Sequence, residues 1–415
     1  MLSVLIIEDT QEKIASIKDI IDNLSEKIEY EIVNDAKNTI YKLSDKYYDL
    51  LLVDIHIPFE WGDNAEPQIA IDLIKQIIED DDLNTPFSIL SITKKEDLKE
   101  EYKKELERLT VTILQYKENN DTWKHQLREK LKSLSSAKKS LYYQKDYDYD
   151  IAIINALQEP EHSQLINVFG GYEKWKRIQH PMDDFNNYYE CILEIKNKKI
   201  RCIATYANQM ASIASSALTT KIIYNFRPKY LFMTGITAGI SNGNMNFGDI
   251  LVASEVYDGA SGKIKTNKEN GNTIFEPDVR QKSTNTEFIN IITRLKSDNQ
   301  LLSNIANRYP SRQGKPNTEL NIHIGPMASV PAVLSSKEEI DKIKNHERKL
   351  QGIEMEAYGM FYAASCAIKP LPKFVASLKS VSDFADIQKN DNYQEYASYT
   401  SAALLKYIIE NELDF

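Results

Sequence analysis

The chain has 415 residues, 42% of them hydrophobic and 27% charged, enough apolar side chain for two folded cores and too much for a disordered chain. A net charge of −10 argues against a broad nucleic-acid or anionic-membrane surface and leaves room only for a local basic pocket. Cys191, Cys202 and Cys366 lack metal-ligand spacing, and Met1 leads into Val4-Leu5-Ile6-Ile7 with no charged leader and no run long enough to span a bilayer, so reduced thiols and a cytoplasmic location are expected.

Over residues 1–135, apolar runs at 4–7, 50–53, 89–92 and 111–114 alternate with amphipathic stretches such as 14–24 and 69–78. That alternation predicts an α/β module with a parallel, doubly wound sheet. A helical pattern over 123–134 gives way to a polar, tyrosine-rich stretch, which sets the predicted linker at 136–149. A second α/β module, 150–415, opens with a strand at 151–154 and has further predicted strands at 200–205, 230–233, 250–253, 322–324 and 374–376.

In an open α/β sheet the residues that follow the strands converge on one crevice. In the first module these are Glu8, Asp9, Asp54, Thr93 and Lys117. Three carboxylates so crowded stay ionised only beside a cation, and their hard oxygens suit Mg²⁺. Asp54 can then act as nucleophile toward a phosphoryl group, with Thr93 and Lys117 meeting the product. The segments Leu5-Ile6-Ile7-Glu8-Asp9 and Leu52-Val53-Asp54-Ile55-His56-Ile57-Pro58, with Thr93 and Lys117, resemble the flavodoxin-like receiver domain of two-component response regulators. The resemblance implies Asp54 as phosphoacceptor, Glu8, Asp9, Asp54 and the His56 carbonyl as Mg²⁺ ligands, and a cognate histidine kinase as partner. Leu114 stands where that family usually has an aromatic switch residue, and 59–67 makes a long loop.

In the second module Ile153-Ile154-Asn155-Ala156-Leu157, Met233-Thr234-Gly235-Ile236-Thr237-Ala238-Gly239, Gly248-Asp249-Ile250-Leu251-Val252, Gly352-Ile353-Glu354-Met355-Glu356-Ala357 and Ser382-Asp383 resemble, in order, the purine nucleoside phosphorylase and methylthioadenosine nucleosidase superfamily. This implies a phosphorylase/nucleosidase-type α/β domain with a central mixed sheet. It also implies Asp383 as general acid at the purine N7, Glu356 on the ribose hydroxyls, Met355 beside the sugar, and Ser329 and Val330 at the base edge, with Gly235, Thr237 and Gln209 in the binding segments. The chemistry agrees: a purine leaves only when protonated, and the sugar becomes a cation that acceptors must hold. Glu161, or Glu159 beside it, is the candidate base for water. The stretch Tyr206-Ala207-Asn208-Gln209-Met210-Ala211 has neither the glycine nor the arginine of a phosphate cradle, which favours water as nucleophile.

The two modules together resemble phage-defence response regulators of the Detocs type, which implies cleavage of ATP to adenine and ribose 5′-triphosphate under phosphorylation control. Lys263, Arg280 and Lys389 are the candidate cations for the phosphates, and Tyr393 the candidate wall near the 5′ group. No cofactor is expected in the second module, and a homo-oligomer, a dimer or larger, is expected. Salvage cleavage of a purine nucleoside or of methylthioadenosine, and non-catalytic nucleotide sensing, are the alternative functions.

Overall fold

The computed structural model describes all residues except 95–99, 118–119, 143–145, 241–243, 267–272, 333–336 and 386–390. The chain divides into two compact units, Met1–Gln144 and Lys145–Phe415.

The first unit alternates β1 (Leu2–Ile7), α1 (Gln11–Asp22), β2 (Ile28–Val33), α2 (Ala36–Asp45), β3 (Leu50–Val53), α3 (Pro67–Glu79), β4 (Ser88–Thr93), α4 (Glu100–Arg108), β5 (Thr112–Gln115) and α5 (Thr122–Tyr142). All strand pairs are parallel, in the order β2-β1-β3-β4-β5, the order of a flavodoxin-like sheet. β3, whose four residues are all buried, sits at the centre as its unbroken apolar run requires. The sequence reading missed β2. Its Ile-Glu-Tyr-Glu-Ile-Val pattern is that of an edge strand with one wet face, a weaker signal than an apolar run. The predicted linker also needs correction, because residues 136–142 continue α5. Leu134 and Ser135 are buried there, and Lys138 is ion-paired to Asp49 at 2.7 Å, which ties the polar end of the helix to its unit.

The second unit holds a ten-stranded mixed sheet. Five of its strands close a ring. Pro228–Gly239 pairs with Gly352–Glu354 on one side and with Phe374–Asp383 on the other, and Ile250–Asp258 and Ile322–Ser329 complete the circuit. From Pro228–Gly239 the sheet continues through Tyr149–Asn155 to Lys198–Tyr206, Asp183–Ile195 and Lys176–His180, while Gln281–Ser283 adds to Ile250–Asp258. Ring strands are buried on both faces, between a cluster that includes the helix Gln394–Asn411 and one that includes Ser212–Phe226 and Ala357–Ser365. Among the described residues no helix is long and apolar enough to cross a membrane.

Candidate active site

The parallel strands Pro228–Gly239 and Phe374–Asp383 set Gly235 opposite Lys379 and, past a register shift after Thr237, Ala238 opposite Asp383. Asp383 therefore ends its strand at the rim of the ring. Glu354 closes the short strand Gly352–Glu354, and Glu356 stands at the N-cap of the helix Ala357–Ser365. Glu161 comes from the turn Gln158–His162, just after the strand Tyr149–Asn155. All four acids line one cavity of about 150 Å³, together with Met355, Thr237, Val330 and Gln394.

A buried ammonium organises three of them. Lys379, 1% exposed, donates to Glu356 Oε2 at 2.9 Å and is 3.0 Å from Glu354 Oε2. Glu354 is held in turn by the backbone N–H groups of Glu356 and Ala357, at 2.9 and 2.8 Å, and by the Ser329 hydroxyl. Glu356 Oε1 accepts from the Ala211 N–H at 3.0 Å. Glu161 accepts from the N–H groups of Ala156, Leu157 and Ile236 at 2.7, 2.8 and 2.8 Å. Burial pushes the Glu161 carboxyl up, against the pull of Lys379. Burial also raises Glu356, but the Lys379 ammonium and the Ala211 N–H more than offset it, and the carboxyl is held below the ordinary range. Burial lowers Lys379, and the carboxylates of Glu356, Glu354 and Glu161 outweigh that, so the ammonium keeps its proton. Asp383 is held differently, by the Ala385 N–H at 2.8 Å and the Ser382 hydroxyl at 3.1 Å. Glu354, Glu356 and Glu161 around one ammonium give the cavity an acceptor-rich wall, an arrangement suited to a cation that forms there.

Residues 150–410 match the model of the phosphorylase superfamily. The chain belongs to the phosphorylase superfamily. The uncharacterized protein y4jS of Sinorhizobium fredii (strain NBRC 101917 / NGR234) is 28% identical over 417 residues, 99% of each chain. Two further relatives are each 24% identical over 49% of this chain: the death domain-containing ATP nucleosidase of Amphimedon queenslandica, 37% of which is covered, and ATP nucleosidase Cap17 of Escherichia coli (strain KTE188), 40% of which is covered. This chain thus spans less than half the length of either nucleosidase.

Within the superfamily unit the predicted residues separate into two groups. Asp383, Glu161, Glu356, Met355, Val330 and Thr237 meet at the cavity. Ser329 stands one step behind, buried against Glu354. Gly235 packs on Glu161, and a Cβ at this position would collide with the Glu161 carboxylate. Gly235→Ala is therefore expected to push Glu161 off its backbone donors and lower turnover about a hundredfold, with circular dichroism unchanged; wild-type rates in the variant would contradict this geometry.

Other predictions are corrected by the structure. Glu159 is exposed, bonded to the Ser163 hydroxyl and absent from the cavity lining, because the turn aims only Glu161 inward. Gln209 is exposed, and its neighbour Met210 lines the cavity instead. Lys263 and Arg280 line a different, open cavity of about 690 Å³ with Tyr358 and Tyr362, and Arg280 is spent on Asp278 at 3.1 Å. Lys389 lies outside the described residues. Tyr393 stacks on Phe247, ring centroids 4.1 Å apart, while Gln394 next to it reaches the cavity. Lys379 went unpredicted, although a lysine in the otherwise uncharged run before Asp383, in the strand Phe374–Asp383, was the available signal.

In the first unit, carboxylate atoms of Glu8, Asp9 and Asp54 lie within 4.8 Å of one another, a donor set that fits a hard divalent cation in kind and spacing. Burial and the nearby Asp54 push the Glu8 carboxyl up. The His56 N–H donates to Asp54 Oδ1 at 3.4 Å, and Thr93 is buried at the end of β4. Lys117 is exposed, and the ammonium bonded to Asp54 belongs to Lys13 instead.

Proposed function

We propose that the superfamily unit is a nucleosidase that breaks the N-glycosidic bond of an adenine nucleotide, with ATP as the favoured substrate, and that the first unit is a phosphoryl-accepting switch for it. The observation that carries this reading is the meeting of Asp383, Glu356 and Glu161 at one cavity. Asp383 gives its proton to the base as the bond between ribose C1′ and the purine nitrogen breaks. Glu356, fixed by Lys379, accepts hydrogen bonds from the ribose hydroxyls and opposes the positive charge that grows on the sugar. Glu161 takes a proton from the water that adds to C1′, so adenine and a free sugar phosphate leave.

The family match and the two relatives named as ATP nucleosidases support nucleosidase activity and this choice of nucleotide. Water rather than phosphate is supported by the 206–211 segment, which carries no arginine or glycine. For the switch, the support is the carboxylate set around Asp54 on a flavodoxin-like sheet. A divalent cation held there by Glu8, Asp9, Asp54 and the His56 carbonyl would neutralise a phosphoryl group in transit to Asp54. A histidine kinase as phosphoryl source, a homo-oligomeric assembly, a cytoplasmic setting and a role in antiphage defence complete the proposal.

The test is product analysis by mass with ATP, AMP, adenosine and methylthioadenosine, each with and without acetyl phosphate. Adenine from ATP foremost, faster when wild type is phosphorylated and not when Asp54→Asn is treated alike, is the expected result. Cleavage of methylthioadenosine alone would overturn the substrate assignment, and equal rates in Asp54→Asn would overturn the switch.

A further inference from the structure

The acidic pocket of the first unit contains a cation of its own. Lys13 Nζ lies 2.5 Å from Asp54 Oδ2 and 3.2 Å from Glu8 Oε2, and the Tyr116 ring is 5.8 Å from the same nitrogen. Only 3% of the residue is exposed. Lysine is rarely buried so fully unless it is paired, and here two buried carboxylates pair it. Its place on α1 accounts for the burial: Ile14, Ile17, Ile20 and Ile21 seat the same helix against the sheet and carry Lys13 in with them.

We propose that Lys13 is a built-in counter-ion that competes with a divalent cation for this pocket, so that metal enters only as the ammonium moves off Asp54 and Glu8. The inference rests on the reading of the first unit as a phosphoryl-accepting switch. Bound to Glu8 and Asp54 at about 2 Å, a small divalent ion would take the space that Nζ holds, and two cations in contact repel strongly. The pocket is therefore partly neutralised at rest without metal. Occupancy by metal then becomes a step that Lys13 opposes.

The experiment is a titration of the full chain with Mn²⁺, free metal being followed by electron paramagnetic resonance, for wild type, Lys13→Met and Lys13→Gln. Affinity about tenfold or more tighter in both variants is expected, and equal or weaker affinity in either folded variant overturns the proposal. If neither variant folds, the wild type decides: amine acylation at Lys13, read by peptide mass, should rise several-fold on saturation with Mg²⁺, and labelling that does not respond to Mg²⁺ contradicts the competition. Transfer of the phosphoryl group from acetyl phosphate to an Asp54 oxygen, with acetate leaving, is scored separately by intact mass. Its failure would remove the switch reading, while the competition still stands or falls on the titration.

Discussion

Asp383→Asn is expected to slow adenine release from ATP by about a hundred- to ten-thousand-fold, the range of a lost general acid. Asparagine keeps the size of the side chain and can still accept from the Ala385 N–H that now holds Asp383 Oδ1. It has no carboxylic proton to pass to the purine, so the base must leave as an anion. Nucleotide affinity should change little, because the sugar contact proposed for Glu356 comes from a different element. Initial rates with calorimetric binding of a non-cleavable adenine nucleotide separate the two effects. A variant that binds and cleaves like wild type would remove Asp383 from the chemistry.

Lys379→Met should produce the largest loss of stability, about 3–5 kcal/mol, the usual cost of removing one partner from a buried ion pair. Glu354, Glu356 and Glu161, all buried, would face one another without a cation. The pH dependence should also reverse. In wild type the Glu356 carboxyl is held below its unfolded value, so its contribution is present above the unfolded pKa and fades as pH falls through the folded one. Without the ammonium, burial would hold these carboxyls above their unfolded values, and stability would then be lost as pH rises through the folded pKa. Denaturant unfolding at pH 5 and pH 8 should show the variant nearer to wild type at pH 5. An equal deficit at both would mean that the charges are not what the lysine offsets.

Much of this arrangement was legible in the sequence. Central strands such as β3 announce themselves because both faces are buried and the run is unbroken. Asp383 and Glu356 could be read because each stands at or just after the end of a buried strand at the rim of the ring. The choice between Glu159 and Glu161 could not be made from spacing, since it depends on which carboxylate reaches the amides of Ala156, Leu157 and Ile236, and Ile236 is far away in the chain. Lys379 was hidden by distance as well: its partners lie more than twenty residues upstream and meet it only when the ring closes. Lys13 looks like an ordinary polar residue at the start of an amphipathic helix, and nothing local tells that its amine turns inward to Asp54. Two of the candidate phosphate cations, Lys263 and Arg280, were misplaced for the opposite reason. Exposed charges are common on hairpins and the loops beside them: Lys263 lies on the hairpin strand Gly262–Thr266 and Arg280 in the loop that follows its partner strand Thr273–Pro277.

In the proposed reaction water replaces adenine at the ribose C1′. ATP incubated with the protein in ¹⁸O-labelled water, with products resolved by mass, tests it most directly. Unlabelled adenine and ribose 5′-triphosphate carrying one ¹⁸O on its sugar carbon are the expected products. Label on released phosphate with the adenine still attached to ribose, or an unlabelled 1-phosphate of ribose 5′-triphosphate formed only when inorganic phosphate is present, would contradict it.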